Sequence, residues 1–128
     1  MYIVDTHAWI EYFMGSKSGF ILKKLFTNIN NKFITIECSL AELKFFCVRE
    51  SINFENMLQV IKKDSIILPV LQEHWLEAAQ IKYEIRKKIK DFGLIDSILV
   101  AKQNEFKCHI VSGNRHFKGM KNIVYIGD

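Results

Sequence analysis

Short apolar runs of strand length alternate with segments of helical periodicity along nearly the whole chain, and this alternation sharply limits the folds open to it. Tyr2–Val4, Phe33–Ile36, Ser65–Val70, Cys108–Val111 and Asn122–Ile126 have the apolar character of buried strands, the third cut off near Pro69. Between them lie predicted helices: one after the candidate cap Thr6, running to Met14, then Phe20–Asn28, Ser39–Arg49, Asn53–Lys62, Gln72–Ile89 and Leu94–Glu105. Gly15 to Gly19 is expected to separate the first two helices. The buried side of the fifth is expected to carry Trp75, Leu76, Ala79, Tyr83 and Ile85. Repeated strand–helix–strand connections of this kind are right-handed crossovers, which lay strands parallel and cover both faces of the sheet. The expected architecture is α/β: a single-domain α/β/α sandwich with a mostly parallel central sheet over residues 1–128.

Bulk properties narrow the function classes. A chain of 128 residues, 49% apolar, supports one core, and a single proline leaves nothing resembling a linker. No apolar run approaches the ~18 residues of a membrane span, so a cytoplasmic protein with no membrane partner is expected. Cys38, Cys47 and Cys108 share no metal-ligand spacing and sit among apolar neighbours, as reduced core thiols do. His7, His74, His109 and His116 make no two-ligand helical pattern, which argues against zinc chemistry. The net charge of +4 suits an anionic partner without demanding one. Its densest basic stretch, Lys82, Arg86, Lys87, Lys88 and Lys90, equally suits the negative pole of a helix end.

Three carboxylates stand in the most apolar stretches: Asp5 after Ile3-Val4, Glu42 in Leu40-Ala41-Glu42-Leu43, and Asp96 in Leu94-Ile95-Asp96-Ser97-Ile98-Leu99. A buried carboxylate without compensation is costly, so such acids either point outward or meet a cation. Each has an ordinary structural reading. Asp5 can cap the first helix. Glu42 completes a capping-box pattern with Ser39. Asp96 can be an exposed first-turn acid, projecting on the side of Val100 and Gln103. If the three converge, a divalent ion compensates them all at once. In a parallel sheet ligands collect at the carboxyl ends of the strands, where Asp5 and Ser112-Gly113-Asn114 are expected.

Asp91-Phe92-Gly93 is similar to the metal-binding triplet of protein kinases, but the chain has no glycine-rich phosphate loop and is too short for that fold. Asp91 is read as a helix cap and Gly93 as turn chemistry. Ser112 and Asn114 flank Gly113 in a tight turn, a setting where these residues are common for backbone reasons alone.

Taken in order, Ile3-Val4-Asp5-Thr6, Ser39-Leu40-Ala41-Glu42-Leu43, Gly93-Leu94-Ile95-Asp96-Ser97 through Ala101, and Val111-Ser112-Gly113-Asn114-Arg115-His116-Phe117 resemble the PIN-domain family, and most closely the VapC toxins of toxin–antitoxin pairs. The likeness runs nearly end to end. It implies a PIN-like sandwich and a ribonuclease that cuts single-stranded RNA with Mg2+ or Mn2+, leaving 5′-phosphate and 3′-hydroxyl ends. Asp5, Glu42 and Asp96 match the acids that serve as catalytic and metal-holding residues. Thr6, Ser112 and Asn114 match the substrate-facing rim. Where the family usually has Asp, this chain has Asn114, which offers a metal only a carbonyl oxygen and removes one negative charge. The resemblance therefore also admits a weakened or inactive PIN-like module that binds RNA or protein. It further implies a homodimer and a cognate antitoxin whose tail enters the acidic groove, with Trp9, Tyr12, Phe13, Phe45 and Phe46 as candidate contacts unless they are core. A small-molecule α/β binding module lacks its phosphate-loop or dinucleotide fingerprint here.

Overall fold

A computed structural model describes residues 1–128. The strands are β1 (Tyr2–Val4), β2 (Phe33–Ile36), β3 (Ile66–Leu68), β4 (His109–Ser112) and β5 (Ile123–Tyr125). They form one sheet in the order β3-β2-β1-β4-β5, and every neighbouring pair is parallel. The expectation of a mostly parallel sheet is thus met in its strictest form.

Six α-helices cover the sheet: α1 (Thr6–Met14), α2 (Lys17–Phe26), α3 (Cys38–Arg49), α4 (Phe54–Asp64), α5 (Gln72–Ile85) and α6 (Leu94–Phe106). Alternation along the strands divides the core in two. Ile3 and Ile110 face one side with Ile98, Leu99 and Phe92, while Val4 and Val111 face the other with Trp9, Leu22, Leu43 and Ile61. Both faces are therefore dry, as a parallel sheet requires. No helix is long and apolar enough to cross a membrane.

The chain builds outward from β1 in one direction through β2 and β3, and in the other through β4 and β5. The strand order reverses between β1 and β4, and the crevice beyond their carboxyl ends is where such sheets bind ligands. Backbone pairing carries past the strands there, since the Asp5 amide donates to the Val111 carbonyl at 3.1 Å.

Several local expectations are corrected. Asp5, not Thr6, caps α1: its side chain accepts from the Ala8 amide, and Thr6 is the first helical residue. Gly19 does not separate the first two helices but lies inside α2, whose cap is Ser16. A side chain on Gly19 would place its Cβ 2.1 Å from the Glu11 carbonyl oxygen, so glycine is there for the close approach of α1 and α2. Asp91 caps nothing, because α6 begins after Gly93. The fifth helix ends at Ile85 rather than Ile89.

The buried side of α5 is also a different one. His74 and Ala78 are buried, with Ile81 and Ile85 packed on the core, whereas Trp75, Leu76, Ala79 and Tyr83 face outward. Two faces of this helix have helical apolar spacing. The side that wins has a small alanine, and its His74 ring bonds to Glu105 of α6 at 2.6 Å.

Candidate active site

Asp5 is placed by two elements at once. It follows β1 directly, and as the cap of α1 its Oδ1 accepts from the Ala8 amide at 2.9 Å. The Ser112 hydroxyl, at the end of β4, donates to Oδ2. With only 4% of its surface exposed, the carboxyl is pushed up to about 7 by burial. The bonds from Ser112 and Ala8 oppose that rise, and the nearby charges of Asp96 and Glu42 add to it.

Glu42 lies one turn into α3 and reaches across to α1, where the Thr6 hydroxyl donates to its Oε1 at 2.6 Å. The capping-box alternative fails, because α3 begins at Cys38 and its cap position is Glu37. The Ser39 hydroxyl is buried with no hydrogen-bond partner. The residue as a whole is exposed at the rim, yet partial burial of its carboxyl raises its proton affinity. The Thr6 bond opposes that rise and Asp96 adds to it.

Asp96 occupies the first turn of α6, where the helix N-terminus favours negative charge. Its expected neighbours Val100 and Gln103 prove buried, and its own side chain is 17% exposed. His116 Nδ1 lies 3.1 Å from its Oδ2 and Asn114 Nδ2 lies 3.4 Å from its Oδ1. The Asn114 amide is oriented by its other contact: Oδ1 accepts from the His116 amide at 3.0 Å and so starts a short 3-10 turn over Arg115–Phe117. Its NH2 is thereby turned toward Asp96.

One cavity of about 480 Å³ collects Asp5, Thr6, Glu42, Asp96 and Asn114, at the sheet's reversal point. Ser112 is not on its rim as expected; it is fully buried behind Asp5. His7, Gly113 and Arg115 also line the cavity and were not among the expected site residues, although each lies within two residues of one that was; the same holds of His116 beside Asp96. The side chains do not stand as a ready-made coordination cage. Their chemistry nevertheless fits a hard divalent cation: three carboxylates, an amide and a hydroxyl surround one space, and two of the acids hold protons more tightly than usual, chiefly through burial and further through the neighbouring acids.

Comparisons with known proteins bear on the family and the fold. A family profile described as PIN domain matches residues 2–122. No curated protein matches the chain. Among solved structures, a toxin–antitoxin complex from Klebsiella pneumoniae is similar at TM-score 0.71 and 16% identity, covering 100% of this chain and 99% of that one. VapC20 of Mycobacterium tuberculosis, described as a Sarcin-Ricin loop cleaving toxin, is similar at TM-score 0.76 and 13% identity, over 95% and 96% of the two chains. DNA-bound VapBC from Salmonella typhimurium gives TM-score 0.68 and 18% identity, over 95% and 93%. At these identities the likeness is one of fold.

Proposed function

The chain belongs to the PIN-domain family, and from that premise we propose that it is a divalent-metal-dependent endoribonuclease acting on single-stranded RNA as the toxin of a toxin–antitoxin pair. The observation that carries this reading is the meeting of Asp5, Glu42 and Asp96 in one cavity at the carboxyl ends of β1 and β4. The similar structures of a VapC toxin and of VapBC complexes support the toxin assignment.

Asp5 and Asp96 would hold Mg2+ or Mn2+, with Glu42 at the rim. Such an ion, when bound, supplies Lewis acidity toward water and neutralises charge on the phosphodiester. The protein's own groups do the rest. Ser112 and the Ala8 amide fix both oxygens of Asp5, and His116 fixes the plane of Asp96. Thr6 holds one oxygen of Glu42 and leaves the other to orient the attacking water and accept its proton. The raised proton affinity of Glu42 suits that task.

A partner surface is part of the reading. Phe45 and Val48 on α3 and Leu76 and Tyr83 on α5 are mostly exposed, which supports burial against a second copy or a cognate antitoxin. Trp9 is core and offers no such contact. Three free cysteines fit a reducing, cytoplasmic setting.

A mixed RNA pool incubated with Mg2+, Mn2+ or chelator tests the assignment. Cleavage is expected with either metal and lost with chelator or on Asp96→Asn; cleavage unchanged by that substitution sinks it. A second reading, a silent RNA- or protein-binding relative, is favoured by the Asn114 amide turned toward Asp96.

A further inference from the structure

The acidic cavity does not end at its own wall. A second cavity, also about 480 Å³, adjoins it and shares His7, Gly113 and Arg115. Its remaining lining includes Lys118, Tyr125 and Glu11. Asp5, Glu42 and Asp96 line only the first space and Lys118 only the second, while Arg115 stands at the boundary and lines both. The acids of the second are Glu11, 3.7 Å from His7 Nε2, and Asp128, whose backbone carbonyl accepts from Lys118 at 3.1 Å. Arg115 has no carboxylate partner.

The divider between the two spaces is closely packed. A Cβ on Gly113 would fall 2.2 Å from the His7 ring, so the imidazole lies flush on glycine backbone at the end of β4. That contact seals His7 Nδ1, which is buried with no hydrogen-bond partner, and leaves Nε2 facing Glu11. Arg115 stands on the turn that Asn114 caps, so the residue facing Asp96 also sets where the guanidinium emerges.

Resting on the ribonuclease reading, we propose that the second cavity is the subsite for the RNA phosphate adjacent to the one being cut, with Arg115 and Lys118 as its anion-binding groups and His7 as the wall over which the strand passes. A planar guanidinium can take two phosphate oxygens at once, and an ammonium on the same space adds a second charge. The arrangement explains why cations stand beside an acidic pocket: an ion held by the acids would offset charge on the attacked phosphate, and the fixed cations serve its neighbour.

The test is binding of a single-stranded RNA oligonucleotide to the 128-residue chain carrying Asp96→Asn, by fluorescence anisotropy over a range of salt. Adding Arg115→Ala and Lys118→Ala is expected to weaken binding about tenfold and to reduce the salt slope by about 0.7, the single-strand value for one phosphate contact. Both side chains are exposed, so the fold should survive their removal. Lys62→Ala with Lys63→Ala removes the same charge from the exposed end of α4 and is the control for net charge. Equal losses in the two double variants, or none in either, overturn the subsite while leaving the nuclease reading intact. If the Asp96→Asn parent binds no RNA and the unsubstituted protein cuts none, both fall together.

Discussion

The Ser112 hydroxyl donates to the Asp5 carboxylate and so joins the ends of β1 and β4 across 107 positions of sequence. Asp5 is buried among acids, and this bond with that from the Ala8 amide is what favours its ionised form. Ser112→Ala should therefore raise the proton affinity of Asp5 further. In chelator at pH 8 the variant is expected to lose about 1–3 kcal/mol in urea unfolding, the range for a buried acceptor deprived of its donor. Its affinity for Mn2+ should fall as well, read by calorimetry.

Metal-free stability should depend on pH in an unusual direction. The Asp5 carboxyl titrates near 7 when folded and at 3.8 otherwise, so between those values the folded chain binds more protons than the unfolded one. Its contribution is full below pH 3.8 and is lost as pH rises through about 7. Glu42 shifts the same way. The melting temperature in chelator is expected to fall between pH 5.5 and pH 8, with a smaller fall in Asp5→Asn. A melting temperature that rises over this range in the chelated protein contradicts the burial of an uncompensated Asp5.

Thr6→Val keeps the shape of its side chain and removes the hydroxyl that holds Glu42. Being on the partly exposed first turn of α1, it should change stability by less than about 1 kcal/mol. RNA cleavage should drop about tenfold to a hundredfold, less than the ~10²–10⁴-fold contributed by a positioned acid–base group, because Thr6 only orients Glu42. Thr6→Ser should restore most of the rate, which a purely steric role for the residue does not foresee.

The elements were legible where one physical signal dominated. Ile3-Val4 and Ile110-Val111 are apolar on consecutive positions within runs too short for a helix, the pattern of a strand buried on both faces, and both lie in the sheet. The apolar surroundings of Asp5, Glu42 and Asp96 raised their convergence only as a condition, and the likeness in motif order made it an expectation. What was not readable depended on contacts distant in sequence. The outward turn of Trp75, Leu76 and Tyr83 is decided by α6, through Ala78 and the His74–Glu105 bond, and periodicity within α5 is silent on that choice. Gly19 has the sequence signature of a break, yet it sits where α1 backbone comes within contact of α2.

The His74 contact can be tested directly. Its Nδ1 accepts from the Leu71 amide at 3.0 Å, which leaves Nε2 to donate to Glu105. His74→Ala orphans the Leu71 amide and opens a void between α5 and α6, so a loss of about 2–4 kcal/mol in urea unfolding is expected. Leu76→Ser, two residues along on the exposed side, should change dilute-protein stability by less than about 0.5 kcal/mol. Comparable losses in the two variants would restore the other face of α5 as the buried one.

Asn114→Asp addresses how many charges the site was built to neutralise. The substituted side chain can still accept from the His116 amide through Oδ1, so the turn over Arg115–Phe117 should remain. What changes is the face toward Asp96. An NH2 donor 3.4–3.5 Å from the Asp96 oxygens becomes a carboxylate oxygen, and attraction becomes repulsion. In chelator the variant should melt below the parent. With Mn2+ present the order should reverse, because the added carboxylate supplies an anionic ligand that the amide does not, and binding about tenfold tighter is expected, equivalent to ~1.4 kcal/mol. Cleavage separates the two functional readings. A large gain from a silent parent identifies a site disabled by Asn114, whereas a small change in an already active parent shows that Asp5, Glu42 and Asp96 suffice. An equal response of both proteins to Mn2+ would place position 114 outside the reach of the ion and reduce its role to capping the turn.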